Sequence, residues 1–322
     1  MIAILCPGQG SQTPGFLAPW LELPGVGQRL AGYSEAAGTD LATHGTTSDA
    51  ETIKDTAVAQ PLIVAAGLVA AHALFDGGGD GAAAHDGGTA AVPDGAISGA
   101  SVVAGHSVGE ITAAALAGAL CETDALLFVR ERANNMAAAA AATPTGMSAV
   151  VGGDPAEVLA AIEAAGLTPA NMNSAGQTVA AGTLDQLRAL ADAPPAKARV
   201  IPLQVAGAFH TRHMAPAVSA LEELRPTLAP RNPALTLLSN YDGQAVGSGE
   251  EMLSSLIAQV SRPVRWDKCM ETMLAMGITG VIELAPAGTL AGLAKRGMPG
   301  VATVAVKTPA DLDAARELLR AG

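Results

Sequence analysis

Residues 104–120 read AGHSVGEITAAALAGAL. Ser107 stands between Gly105 and Gly109, the G-x-S-x-G spacing that exposes a serine hydroxyl on a sharp strand-to-helix turn, where it can attack a carbonyl. In a chain with 37 glycines the pattern carries weight only through its context. The run SVVA before it is apolar and β-branched. The run VGEITAAALAGAL after it is rich in helix formers, with Glu110 in the first turn, where an acid suits the helix dipole. A nucleophile elbow is therefore expected at Ser107, with the Val108 N–H pointing to where an oxyanion would form. The bland alternative is a small residue in an ordinary turn.

A serine hydroxyl needs a base within hydrogen-bond reach. Of the six histidines, His106 is adjacent to Ser107, so its side chain is expected to point away. His72 is mid-helix, His85 lies in a glycine-rich loop and His44 has no distinguishing context. His210 ends the strand-like run LQVAGAF and opens a helix, where a side chain projects from a sheet edge. It is the favoured base, with His213 second. No Asp stands out as a third member, so a backbone carbonyl or an amide is expected to orient the base. PGQGSQTPG (7–15) matches neither G-x-G-x-x-G nor a P-loop, which argues against nucleotide binding. It reads either as an ordinary turn or as a source of amide donors from Gln9 and Gln12 for an oxyanion.

A further candidate comes from helical spacing. A helix is expected from about Thr123, as N-cap, to Ala141. Ala125, Phe128, Val129, Ala133 and Met136 form one apolar stripe, and Arg132 falls inside it whereas Arg130 points away. A guanidinium on a buried face needs an anionic partner. That partner is either a core carboxylate or an anion in a pocket, whose two oxygens suit the guanidinium fork.

These residues need elements to hold them. IAILC (2–6) reads as a buried strand, 58–75 as a helix, and 76–95 as a flexible surface loop. Residues 146–204 change rhythm to βαββαβ, with Asp154 as a helix N-cap and Pro155 behind it. This is a ferredoxin-like unit inserted in a larger one. Helices at 214–225, 249–260 and 266–277, strands at 235–240 and 280–286, and a closing helix follow.

Composition narrows the function classes. A net charge of −12 argues against nucleic-acid binding. Cys6, Cys121 and Cys269 have no metal or disulfide spacing and read as small buried residues in a reduced, cytoplasmic setting. The start lacks the marks of a signal peptide, and the alanine-rich run 136–144 is too short to span a bilayer. Arg262, Arg265, Lys268, Lys295 and Arg296 outnumber Asp267, Glu271 and Glu283 late in the chain. They form either a docking patch for an acidic partner or a scattered solvated surface.

PGQGSQ, GHSVGE, Arg132, GAFHTRHM and QVSRPVRW (259–266) together resemble the malonyl-CoA:acyl-carrier-protein transacylases, in an actinobacterial form and over nearly the whole chain. The resemblance implies an α/β-hydrolase-like large subdomain (1–140 and 206–322) carrying a ferredoxin-like small subdomain (141–205). By motif it implies Ser107 as the acylated nucleophile and His210 as its base. Gln9 and the Val108 N–H form the oxyanion hole, and Arg132 clamps the malonyl carboxylate. Gln259 orients His210 through its carbonyl, which would account for the missing Asp, and Met136 and Phe209 shape the acyl pocket. Val108 departs from the leucine often found after the serine. The implied reaction is ping-pong transfer of malonyl from malonyl-CoA to an acyl carrier protein, for fatty acid or polyketide synthesis. It implies a monomer that acts without a resident cofactor, metal, nucleic acid or membrane. The rival reading is a G-x-S-x-G serine hydrolase, which predicts an acidic partner for the histidine and no buried arginine. A non-catalytic carrier-binding module is a third.

Overall fold

The structure, a computed structural model, describes residues 1–75 and 99–322. The loop expected at 76–95, with His85, lies outside the described residues. The strands are β1 (Ile2–Cys6), β2 (Ala100–Gly105), β3 (Thr145–Gly152), β4 (Thr168–Ser174), β5 (Gln177–Thr183), β6 (Ala198–Pro202), β7 (Thr236–Leu238), β8 (Gly280–Glu283) and β9 (Ala302–Ala305). The helices of the first half are α1 (Val26–Ala37), α2 (Leu41–Thr46), α3 (Thr56–Phe75), α4 (Gly109–Leu116), α5 (Glu122–Ala142) and α6 (Pro155–Ala164). Those of the second are α7 (Leu184–Asp192), α8 (Ala215–Leu224), α9 (Gly249–Gln259), α10 (Trp266–Ala275), α11 (Thr289–Gly297) and α12 (Leu312–Ala321).

A parallel sheet of order β7-β2-β1-β8-β9 forms the centre. Its middle strands are continuous apolar runs because both faces are covered. The two-residue period of a strand divides them. Ile2, Ile4 and Cys6 pack with residues of α1, α3, α4 and α5. Ala3 and Leu5 face the other way, onto Trp266, Met270 and Met273 of α10 and Leu290 and Leu293 of α11. Helix α3 is apolar all round and long enough to cross a membrane by length and composition. However, 83% of its apolar window is buried inside the protein, so it is a core helix.

A second, antiparallel sheet has the order β4-β5-β3-β6. One face packs Val150 and Ala180 on Val158 and Ile162 of α6 and Leu187 and Leu190 of α7. The other turns Met147, Ala149 and Val179 towards the main core. The two sheets are tied where Val264 donates to Ala170 O (2.8 Å) and accepts from Met172 N (2.9 Å).

Every element expected between 146 and 204 is present, and Asp154 caps α6 by accepting from the N–H groups of Ala156 and Glu157. The N-cap of α5 lies two residues before Thr123: it is Cys121, its Sγ accepting from Asp124 N. Strands β7 and β8 are shorter than the apolar runs that suggested them. Helices α1, α2 and α11 and strand β9 have no counterpart among the elements expected from the sequence. The edge strand β9 is only partly buried, so its pattern is weak.

Candidate active site

The turn between β2 and α4 is built by backbone proximity. Ser107 sits at φ 53, a left-handed conformation that a non-glycine residue holds only where its surroundings enforce it. A Cβ on Gly105 would lie 2.0 Å from the Gly109 carbonyl carbon, and one on Gly109 would lie 2.1 Å from Cys6 O. The two glycines therefore let strand β1, strand β2 and the start of α4 meet. Asn240, just after β7, locks the turn. Its Oδ1 accepts from Ser107 N (2.7 Å), and its Nδ2 donates to Gly105 O (2.7 Å).

Ser107 Oγ lies 2.7 Å from His210 Nε2, and His210 Nδ1 lies 2.8 Å from the Gln259 carbonyl oxygen. A carbonyl only accepts, so Nδ1 carries the proton and Nε2 is left to accept from the serine hydroxyl. His210 is also left-handed, at φ 60. Burial, then the Arg132 charge, holds its pKa down at about 3, so the ring is neutral at physiological pH. No carboxylate touches it among the described residues. His213 is half-buried and its N–H bonds Thr211 Oγ1. His106 points away from Ser107: its Nε2 meets Asn173 Oδ1 (2.8 Å) and its ring stands edge-on to Trp266. His44 meets Ser48 and His72 meets Glu122.

Arg132 is 1% exposed and, among the described residues, forms no ion pair. Of the two partners left open by sequence, the core carboxylate is not in contact. Two glutamines hold the guanidinium instead: Gln60 Oε1 accepts from NH1 (2.6 Å) and Gln259 Oε1 from NH2 (2.9 Å). NH2 also reaches Ser107 Oγ at 3.4 Å, and Nε has no partner. Burial lowers the pKa to about 10, which leaves Arg132 a cation at neutral pH.

The glutamine side chains near β1 are not aimed at an oxyanion. Gln9 Nε2 donates to Lys54 O and Thr56 Oγ1, and Gln12 bridges Gly10 N and Ile53 O. The expectation that their side-chain amides serve there is corrected, because both are spent on the loop before α3. The backbone N–H groups of Gln9 and Val108 have no acceptor among the described residues. Ser107 and His210 open onto a pocket of about 210 Å³ between the two sheets. Gln60, Met136 and Phe209 line it on one side, and Met147, Ala149 and Val179 on the other. Asn171 also lines it, with a buried Oδ1 that has no partner among the described residues.

Of the basic patch, Arg265 pairs with Asp267 and Lys268 with Glu271, and Arg262 lies over the Tyr241 ring. Glu283 is not a surface acid. It is fully buried and accepts from the N–H groups of Gly288, Leu290 and Ala291 at the start of α11. Lys295 and Arg296 remain exposed in the last turn of that helix. Among the described residues, no group of three or more His, Cys, Asp or Glu side chains is placed to hold a metal ion.

Sequence reasoning did not single out Gln60, Asn240, or the buried role of Glu110. Gln60 had a signal, a polar residue within the apolar run of α3. Asn240 had none, since its partners lie more than a hundred residues away.

Residues 95–314 match the family model described as "Acyl transferase domain". The chain is 50% identical to the malonyl CoA-acyl carrier protein transacylase of Mycobacterium tuberculosis (strain ATCC 25618 / H37Rv), over 97% of this chain and 98% of that protein. It is 32% identical to the Escherichia coli (strain K12) protein of the same name, over 98% and 99%. Its fold superimposes on the crystal structure of MCAT from Mycobacterium tuberculosis with a TM-score of 0.90, at 50% identity, covering 98% of this chain and 99% of that one. A chain from the complex of a type II PKS acyl-carrier protein with its malonyl-transacylase also matches, at a TM-score of 0.86 and 28% identity, over 98% of this chain and 99% of that one. The chain belongs to the malonyl CoA-acyl carrier protein transacylase family of acyl transferases.

Gly109→Ala forces a methyl into the Cys6 carbonyl and costs about 1–3 kcal/mol, read as a lower denaturant midpoint. Wild-type stability in that variant would contradict the packing. For His210, the unfolded chain binds a proton near pH 6.5 that the folded protein refuses until about 3. Its contribution to stability is therefore present above pH 6.5 and lost as pH falls through that window. The melting temperature of His210→Gln should fall less than that of wild type between pH 6.5 and 4. Parallel curves would show that His210 is not held neutral.

Proposed function

We propose that this protein is a malonyl-CoA:acyl carrier protein transacylase working through a malonyl ester on Ser107. The observation that carries the reading is the Arg132 guanidinium, buried 3.4 Å from Ser107 Oγ with no ion pair among the described residues. A malonyl group places a carboxylate two carbons beyond the acylated carbonyl, so an acyl group on Ser107 would bring that charge to the cation.

In the first half-reaction Ser107 Oγ attacks the thioester carbonyl while its proton passes to His210 Nε2. The oxyanion is held by the backbone N–H groups of Gln9 and Val108. Collapse breaks the C–S bond, and the CoA thiolate leaves with the proton from His210. In the second, the phosphopantetheine thiol of the carrier gives its proton to His210 and attacks the ester. The C–Oγ bond breaks and Ser107 regains the proton. The Gln259 carbonyl keeps the His210 tautomer, so no aspartate is needed, and Met136 and Phe209 bound the acyl pocket. Because the receptor is a cation, a neutral acyl group gains less, which separates malonyl from acetyl.

The same reading divides the chain into an α/β-hydrolase-like catalytic subdomain (1–140 and 206–322) and a ferredoxin-like small subdomain (141–205), supported by the antiparallel order β4-β5-β3-β6. It has the protein act as a cytoplasmic monomer without a resident cofactor, nucleic acid or membrane, serving fatty acid or polyketide synthesis. Lys295 and Arg296, on the helix whose Leu290 and Leu293 line the pocket, offer a face to an acidic carrier.

With malonyl-CoA alone, one equivalent of CoA should be released, with steady turnover only once holo carrier protein is added. Continuous release of free malonate without carrier would favour a hydrolase. Arg132→Ala should lower malonyl transfer about a hundredfold, the scale of a lost buried charge-assisted hydrogen bond, while accepting acetyl-CoA better. An unchanged malonyl-to-acetyl preference would remove Arg132 from the site. His210→Ala should slow acylation far more than His213→Ala, and equal effects would reassign the base.

A further inference from the structure

Glu110 is 2% exposed, lies three residues beyond the nucleophile, and has no part in the acyl-transfer steps above. Its carboxylate faces inward beneath the site. Oε2 accepts from Gln259 Nε2 at 2.5 Å, and both oxygens accept from Asn240 N at 3.3 Å. The same Gln259 amide donates to Ser107 O at 3.1 Å and, through Oε1, accepts from Arg132 NH2 at 2.9 Å.

An amide can be turned end for end, and its partners decide which way it sits. On one side of Gln259 stand three acceptors, the Glu110 carboxylate, the Ser107 carbonyl and Asn240 Oδ1. Burial raises the Glu110 pKa to about 7, so both its oxygens are purely acceptors only once the pH lies above that. On the other stands Arg132, which only donates. Turned over, the amide would set its NH2 against a guanidinium and its oxygen against a carboxylate. We propose that Glu110 is a positioning residue for substrate selection: by fixing the polarity of the Gln259 amide, it presents Oε1 to Arg132 and so holds the guanidinium in place for the carboxylate of the acyl group. Glu110 does not touch Ser107 Oγ; it also accepts from Asn240 N, and the role proposed for it runs through Gln259. When ionised, above about pH 7, Glu110 also keeps a negative group near the buried cation without meeting it in an ion pair, which leaves Arg132 donors, Nε among them, for the substrate.

The inference rests on the reading of Arg132 as the carboxylate receptor, and the test separates the two. Acylation of Ser107 by malonyl-CoA and by acetyl-CoA is measured as kcat/KM in wild type, Glu110→Gln, Gln259→Leu, the double variant and Arg132→Ala. Gln259→Leu removes the amide and retains the backbone carbonyl that holds His210. Glu110→Gln removes the charge and replaces one of the two acceptor oxygens with a donor NH2 facing Gln259 Nε2 and Asn240 N, which weakens the hold on the Gln259 amide. The malonyl-to-acetyl ratio should then fall about tenfold or more, the scale of a misdirected buried hydrogen bond to a charged group. Gln259→Leu should lower the ratio similarly, and Glu110→Gln should lower it no further in that background. A general loss of packing would reduce both substrates alike and add in the double variant, and either result overturns the proposal. If Glu110→Gln does not fold, the ratio in Gln259→Leu decides: a fall supports the proposal and an unchanged ratio overturns it. If Arg132→Ala itself leaves the ratio unchanged, the carboxylate receptor fails first. If Arg132→Ala changes the ratio and the other variants do not, Glu110 alone is overturned.

Discussion

A guanidinium buried to 1% exposure, with no ion pair among the described residues, is the constraint around which this site is arranged. Several kcal/mol of desolvation must be offset by hydrogen bonds when no carboxylate is in contact. The chain supplies them from far apart: Gln60 from α3, Gln259 from the end of α9, with Arg132 itself on α5. Neutral amide oxygens solvate the charge without neutralising it. A contacting carboxylate would satisfy Arg132 more completely and would leave nothing for an anionic acyl group to do.

The same economy of contacts joins that cation to the reacting serine. Gln259 uses its carbonyl to hold His210 and its side chain to hold Arg132. One residue at a helix end thus sets both the base and the anion receptor. Asn240 plays the matching part for the elbow, clasping Ser107 N and Gly105 O. The elbow exists because Gly105 and Gly109 let three backbones approach within distances that no Cβ allows.

The sequence carries the local features and not the long-range ones. Ser107 is legible because its strand, turn and helix are contiguous. Arg132 is legible because a 3.6-residue wheel puts it on a buried stripe. His210 is reached by eliminating other histidines, and the carbonyl of Gln259 only through family resemblance. The small sheet is legible in order and nearly in boundaries, because its strands and helices alternate with clear caps. Gln9 and Gln12 mislead, since their amides look available in the sequence and are consumed by Lys54, Thr56 and Ile53 in the fold. Glu110 reads as a helix-dipole residue, and only the tertiary structure reveals it as a buried partner of Gln259 and Asn240. Gln60 is a lesson in the other direction, because a lone amide in an apolar helix is a visible anomaly.

The most direct measurement is mass spectrometry of the intact protein after exposure to malonyl-CoA without carrier, followed by mapping of the adduct. We predict one malonyl group, carried by the peptide that contains Ser107 and lost when holo acyl carrier protein is added. No adduct, or a stable adduct on any other residue, would contradict the account.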